Sequence, residues 1–396
     1  MTIVLNTIMN LLLAYVGLGV LYGFFFAIVS VFYKDRKWGD SGFRSKIAVF
    51  IPGYKEDTII YQVAKDALAQ DYPSDKYEVI VIADSFGEEV LEKLRTLPLK
   101  VMEVSFERST KAKSLNKVMG QLTEDYDIAV VLDADNLMKS DFLSKVNVAY
   151  QNGHMAIQGH RTAKNLDTNF ARLDALSEEI NNSIFRRGHW MLGLPSALIG
   201  SAMAFDYKLY REVMSDIDVV SGFDKELEIQ LLKRNVKVAF INDAIVLDEK
   251  VQSSEIFEKQ RTRWLAAQVN FALKYFATGL WQLITKGKLG LFDKALQFVM
   301  LPRALSLMAL VCVAALSLLM GNQEALFISQ LLGFLFVLSM FLAIPKQFYN
   351  RKMLAAVISL PLAIFNMMSS LFKLNKAKNT FIHTPHTHVT PESPKS

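Results

Sequence analysis

Asp133-Ala-Asp135 follows the apolar run Val130-Val-Leu132 without a break. Two carboxylates separated by one small residue at the end of a strand can share a divalent cation. Mg2+ or Mn2+ is commonly held by one or two carboxylates together with substrate phosphates and water. The competing reading is a solvated turn, and the apolar strand directly before the pair favours the metal site. Asp84, in Ile82-Ala-Asp-Ser-Phe-Gly87, stands at the same kind of position one unit earlier. It can accept hydrogen bonds from a nucleobase or ribose, or cap the helix that follows. In Gln260-Arg-Thr-Arg263-Trp264, helical spacing brings Gln260, Arg263 and Trp264 to one face. An amide, a guanidinium fork and an indole suit a pyrophosphate or a sugar ring. A basic helix on a membrane, anchored by Trp264, would use the same residues. Asp224-Lys-Glu226-Leu-Glu228 opens another helix, where carboxylates are commonly surface groups or partners of the helix dipole. One of them can also act as a base, because an acceptor hydroxyl must lose its proton as it attacks. His383, His386 and His388 have no Cys or acidic neighbours and make a poor metal site.

These residues sit in an alternation of short apolar runs and helical patterns. Strands are predicted at 46–52, 77–83, 99–104 and 127–132, with helices at 57–70, 88–96 and 111–122 between them. Near-continuous Val/Ile strands separated by helices imply a parallel sheet covered on both faces. Ligands of such sheets bind at the carboxyl ends of the strands, where Asp84 and Asp133 fall. Beyond residue 153 the pattern is less regular. Strands are expected at 155–159, 197–205 and 236–241. Helices are expected at 170–186, 225–233 and 254–275, and an amphipathic membrane-surface helix at 289–299.

The chain has 396 residues, 52% of them hydrophobic, and the apolar ones gather at the two ends. Residues 1–33 contain no Asp, Glu, Lys or Arg, and uncharged runs cover 304–323, 325–345 and 353–372. Each approaches the roughly 20 residues that cross a bilayer core. This excludes a purely soluble enzyme and also a transporter of many spans. The first run lacks a basic start and a small-residue cleavage site, so it reads as a retained helix. The run at 353–372 contains Pro361, Asn366 and two serines and reads as interfacial or re-entrant. That keeps Lys373, Lys376 and Lys378 on the side that basic residues prefer. Cys312 is the single cysteine, so no intramolecular disulfide can form. The net charge of +5 fits basic membrane flanks, and no motif points to nucleic acid.

The order of these motifs resembles the membrane-embedded family 2 glycosyltransferases, which include cellulose, chitin and hyaluronan synthases. Their donor-site Asp, D-x-D, T-E-D and Q-x-x-R-W elements look like Asp84, Asp133-Ala-Asp135, Asp224-Lys-Glu226 and Gln260–Trp264. Ile51-Pro-Gly-Tyr-Lys-Glu56 and Lys111-Ala-Lys-Ser-Leu-Asn116 are similar to two further stretches of the family. Leu198-Ile-Gly200-Ser201 resembles the segment that holds the acceptor sugar. Phe381-Ile-His-Thr384-Pro-His386 resembles the gating loop that closes over the donor, with His386 replacing a Lys. The resemblance implies a GT-A, Rossmann-like α/β domain with one N-terminal and two to three C-terminal membrane helices. The expected organisation is a membrane helix at 1–33, the catalytic domain at 34–280, interfacial and membrane helices at 281–372 and a gating tail at 373–396.

The implied activity is an inverting, metal-dependent transfer from a nucleotide sugar, of the UDP class, to a growing β-linked polysaccharide. Asp133 and Asp135 would hold Mg2+ or Mn2+. Asp84, Lys111, Asp133, Gln260, Arg263, Thr384 and His386 would bind the donor, and Trp264, Gly200 and Ser201 the acceptor. Glu226 is the first choice of base and Asp224 the second. The expected location is a bacterial inner membrane, with the catalytic domain cytoplasmic. Helices of the larger synthases are missing after the tail motif, which leaves room for an export partner protein. Two rival readings are transfer of one sugar to a lipid or polyprenyl-linked acceptor, and an inactive membrane scaffold or export subunit.

Overall fold

The computed structural model describes residues 2–219, 221–252 and 254–358, with residues 2 and 254–259 as backbone only. Among the described residues, eight strands form one sheet: β1 (Ile47–Tyr54), β2 (Tyr77–Asp84), β3 (Lys100–Val104), β4 (Ile128–Val131), β5 (Leu137–Met138), β6 (Ala156–Ala163), β7 (Met203–Asp206) and β8 (Ala239–Asp248). Their spatial order is β3-β2-β1-β4-β7-β6-β8-β5. The first four strands are parallel, as their sequence implies, and β6 is parallel to β8. The sheet is nevertheless mixed, because β7 runs antiparallel to β4 and β6, and β5 antiparallel to β8.

Period-two alternation feeds two cores. Ile47, Val49 and Ile51 of β1 pack on one face with Val63 and Leu94, while Ala48 and Phe50 pack on the other with Leu115 and Leu227. This is the mixed α/β GT-A arrangement.

The strand expected at 197–205 begins only at Met203, and the preceding residues form a loop. Gly200 (φ 88°) and Ala202 (φ 52°) are left-handed, which ends any extended run. Two helices outrun their expected ends. The helix from Asn169 continues through a π-helical segment, Asn182–Gly188, to Met191. The helix carrying Gln260–Trp264 spans Ser254–Lys286 and packs on Leu289–Val299, Gly279 lying against Ala295.

Among the described residues, three helices are long and apolar enough to cross a membrane: Ile3–Val31, Arg303–Met320 and Gln323–Ala343. They pack through Met9, Leu13, Val16, Leu310, Val313, Leu332 and Phe336. Leu11, Leu18, Leu319, Phe327 and Phe334 stay exposed, as suits contact with lipid. The last two spans match two of the three late uncharged runs. Of the third run, Met353–Ile358 belongs to a helix, Arg351–Ile358, which packs on Asn169–Asn181; the remainder lies outside the described residues.

Candidate active site

Asp133 and Asp135 follow β4 directly, and the two-residue β5 comes next. Because β5 pairs antiparallel with the end of β8 (Leu137 opposite Leu247), Asp248 is drawn beside them. One ligand oxygen from each of Asp133, Asp135 and Asp248 lies within 4.8 Å of the others. Three hard oxygen donors at this separation suit Mg2+ or Mn2+. Asp135 is buried and accepts from the Glu249 backbone N–H (2.9 Å), and the Asn136 amide bridges Asp135 (3.1 Å) and Asp248 (3.0 Å). Asp133 is about one-third exposed, so it faces the cleft.

The sequence reading missed Asp248, although Ala244-Ile-Val-Leu-Asp248 repeats the strand-then-Asp pattern of Asp84 and Asp133. It also missed Arg161, Glu178 and Lys250, which carry no local signal. Arg161 lies 3.6 Å from Asp133 and 3.4 Å from Asp248, and donates to Glu178 (2.7 Å) and to Ser201 Oγ (3.2 Å). Lys250 pairs with Glu178 and with Asp248 (2.7 Å). Burial would raise the Asp248 carboxyl, but Arg161 and Lys250 hold it below the usual carboxylate range. Asp248 therefore stays ionised and available to a cation.

Lys111 opens the helix Lys111–Gln121, where Thr110 caps it through Lys113 N–H. Its ammonium donates to Asp133 Oδ1 (2.5 Å), Leu132 O (3.0 Å) and Gly200 O (2.9 Å). Asp84 is buried at the end of β2 and accepts from Ser85 Oγ (3.0 Å) and, at 3.4 Å, from Ser114 Oγ of the Lys111 helix. It caps no helix; Gly87 holds that position, its N–H donating to Asp57.

Asp224 and Glu226 begin the helix Phe223–Lys233 but point to different neighbours. Asp224 packs against Gly200, where an added Cβ would lie 3.9 Å from its own Cβ. Burial lowers the pKa of Arg263, and the negative charges of Asp133 and Asp224 both raise it, so one guanidinium senses both acids. Glu226 is buried on the far side. It accepts from Tyr275 Oη (2.5 Å), Gln230 (2.8 Å) and Lys274 (3.0 Å). Ser201 is fully buried, whereas Gly200 is partly open. Trp264 is more than one-third exposed beneath the Arg261 guanidinium, 4.7 Å from its ring centre. Gln260 Oε1 is buried with no hydrogen-bond partner among the described residues. Thr384 and His386 lie outside the described residues.

The sheet and the three acids gathered at its strand ends define a GT-A-type fold with a candidate divalent-cation site. The chain belongs to the glycosyltransferase-like family 2, whose model matches residues 44–267. A probable glycosyltransferase of Bacillus subtilis, YdaM, is 23% identical over 59% of this chain and 57% of its own length. The β-monoglucosyldiacylglycerol synthase of Nostoc sp. is 24% identical over 62% of this chain and 52% of its own length. The chain thus spans just over half the length of these relatives. A solved mannosyltransferase of Pyrobaculum calidifontis, in complex with GDP-mannose and Mn2+, superposes with a TM-score of 0.61 at 17% identity. The match covers 95% of this chain and all of the other, and it shows a shared fold.

Proposed function

We propose that this enzyme moves a sugar, with inversion, from a UDP-sugar to a hydroxyl of a membrane-borne acceptor, with Asp224 as the base. The single observation that carries this reading is the placement of Asp224. It lies against Gly200 and shares Arg263 with Asp133, while the carboxylate of Glu226 is taken up by Tyr275, Gln230 and Lys274. Asp224 takes the proton as the acceptor oxygen bonds to the anomeric carbon and the bond from that carbon to the diphosphate oxygen breaks. Arg263 and Lys111 supply fixed positive charge to the leaving diphosphate. Asp84 receives the nucleoside, and Trp264 stacks on the acceptor. Asp133, Asp135 and Asp248 would hold Mg2+ or Mn2+, which as a Lewis acid neutralises the diphosphate. Thr384 and His386 would close over the donor.

A lipid acceptor of the diacylglycerol type is the first to test, because the Nostoc relative is named for a monoglucosylated diacylglycerol product. The second reading is polymer growth, favoured by the Gln260–Trp264 pentad on the helix beside the site. The location proposed is a bacterial inner membrane, with the catalytic domain on the cytoplasmic face.

The test is UDP release and product sizing with purified protein, Mn2+, a panel of UDP-sugars and diacylglycerol-containing vesicles. Asp224→Asn should lower transfer by about a thousandfold, and Glu226→Gln by no more than about tenfold. The reverse ranking would sink the assignment of the base. Lipid-extractable product supports the first acceptor, and polymer the second.

A further inference from the structure

The acceptor-side loop is held at nearly every residue by a different element. Arg186 Nε donates to Ala197 O (3.0 Å), and the Leu198 N–H donates to Glu228 Oε2 (3.0 Å). The Ile199 N–H donates to Gln158 (3.1 Å), and Lys111 donates to Gly200 O. Of these partners, Arg186 lies on the π-helical segment that packs against Phe26 of the N-terminal helix, and Glu228 reaches that helix through a chain of side chains. Glu228 is 2% exposed and pairs with Lys294, itself 6% exposed, at 2.8 Å. Lys294 lies on the helix Leu289–Val299 and reaches Gln297 Oε1 at 3.4 Å. The Gln297 amide donates to Tyr22 Oη (3.1 Å) and Asp293 (3.0 Å), and Tyr22 donates to Asp293 (2.7 Å). His189 completes the junction, 2.7 Å from Tyr22 Oη, with its ring stacked on Phe26 at 3.8 Å. A continuous polar path therefore runs from the N-terminal membrane helix to one backbone N–H of the acceptor loop.

We propose that Glu228 is a positioning residue for the acceptor loop, set through Lys294 by the seating of the N-terminal membrane helix on Leu289–Val299. Acceptor affinity then depends on the membrane bundle, whereas donor and metal binding do not. The physical reason is burial. Burial pushes the Glu228 carboxyl up and Lys294 opposes this, so losing the ammonium leaves a buried charge with one neutral partner. The claim rests on the reading of residues 198–201 as the acceptor loop.

The experiment uses the full chain in phosphatidylethanolamine/phosphatidylglycerol nanodiscs and reads amide exchange by mass spectrometry. Lys294→Met should speed exchange in the peptide containing Leu198 by about tenfold, the effect of losing one such interaction. Peptides over 128–138 should be unchanged. Lys294→Arg should restore protection, and Tyr22→Phe should shift the same peptide in the same direction. The double variant Glu228→Gln with Lys294→Met removes both charges and keeps an acceptor for the Leu198 N–H. It should exchange more slowly than Lys294→Met alone, because no buried charge is left uncompensated. With UDP-glucose and diacylglycerol vesicles, the KM for acceptor should rise in Lys294→Met and the KM for donor stay fixed. Unchanged exchange at Leu198 in Lys294→Met and Tyr22→Phe overturns the proposal. So does an unaltered acceptor KM in Lys294→Met when Gly200→Ala, a strained change in the loop itself, raises it. If neither variant alters acceptor KM, the acceptor-loop reading has failed, and the exchange data alone then decide whether the path to the membrane exists.

Discussion

Asp248 shows how a side chain distant in sequence completes a site. Its carboxylate stays charged in a buried setting because two cations face it, and that charge is what a divalent ion needs. Asp248→Asn should weaken Mn2+ binding by about ten- to a hundredfold, read by the free-Mn2+ signal in electron paramagnetic resonance. Glu226 has a different task. Burial alone would raise its pKa, but Tyr275, Gln230 and Lys274 bring it below the ordinary value of 4.5. A carboxyl depressed in the folded state stabilises the fold above its unfolded pKa, and that share is lost as pH falls through the folded value. The thermal stability gap between wild type and Glu226→Gln should therefore be full at neutral pH and shrink below about pH 4.5. A gap that stays constant into the acid range would remove this role.

Among the elements, the helix Asn169–Met191 joins the α/β sheet to the long apolar helices. Its π-helical segment ends at Gly188, where an added Cβ would sit 2.6 Å from the carbonyl oxygen of Phe26. That neighbour is backbone and cannot rotate away. Gly188→Ala should thus cost about 1–3 kcal/mol, seen as a lower unfolding midpoint in detergent, because the N-terminal helix must move outward. The helix Ser254–Lys286 plays the matching part on the other side. It brings Arg263 to Asp133 and Asp224, and its Lys274 and Tyr275 fix the helix Phe223–Lys233 through Glu226.

At the scale of the whole molecule, the three candidate spans among the described residues have a topological consequence. If each crosses, residues 34–302 and 344–358 share one face, and Thr2 lies on the other. Single-cysteine variants at Lys37 and Lys346, made with Cys312→Ser, should react with an impermeant maleimide from the same side of oriented vesicles. A cysteine at Thr2 should react from the opposite side. Labelling of all three from one side would contradict three crossings.

Composition and local pattern were sufficient for the parallel strands β1–β4, for Asp84 and Asp133 at strand ends, and for the long apolar helices. Each of these is written within one short stretch: a Val/Ile run, an acid just after it, or about 20 apolar residues. The antiparallel insertion of β7 was not legible, because strand direction is a property of pairing. Nor was Asp248 as a third ligand, which needs β5 and β8 to meet. The choice between Asp224 and Glu226 shows the limit most clearly. Two residues apart on a helix are about 200° apart around its axis, so only one can face the cleft. Sequence placed both acids at the start of that helix. Its rotation is decided by what packs around it, and the contacts of Glu226 with Tyr275 and Lys274 turn Asp224 towards Gly200.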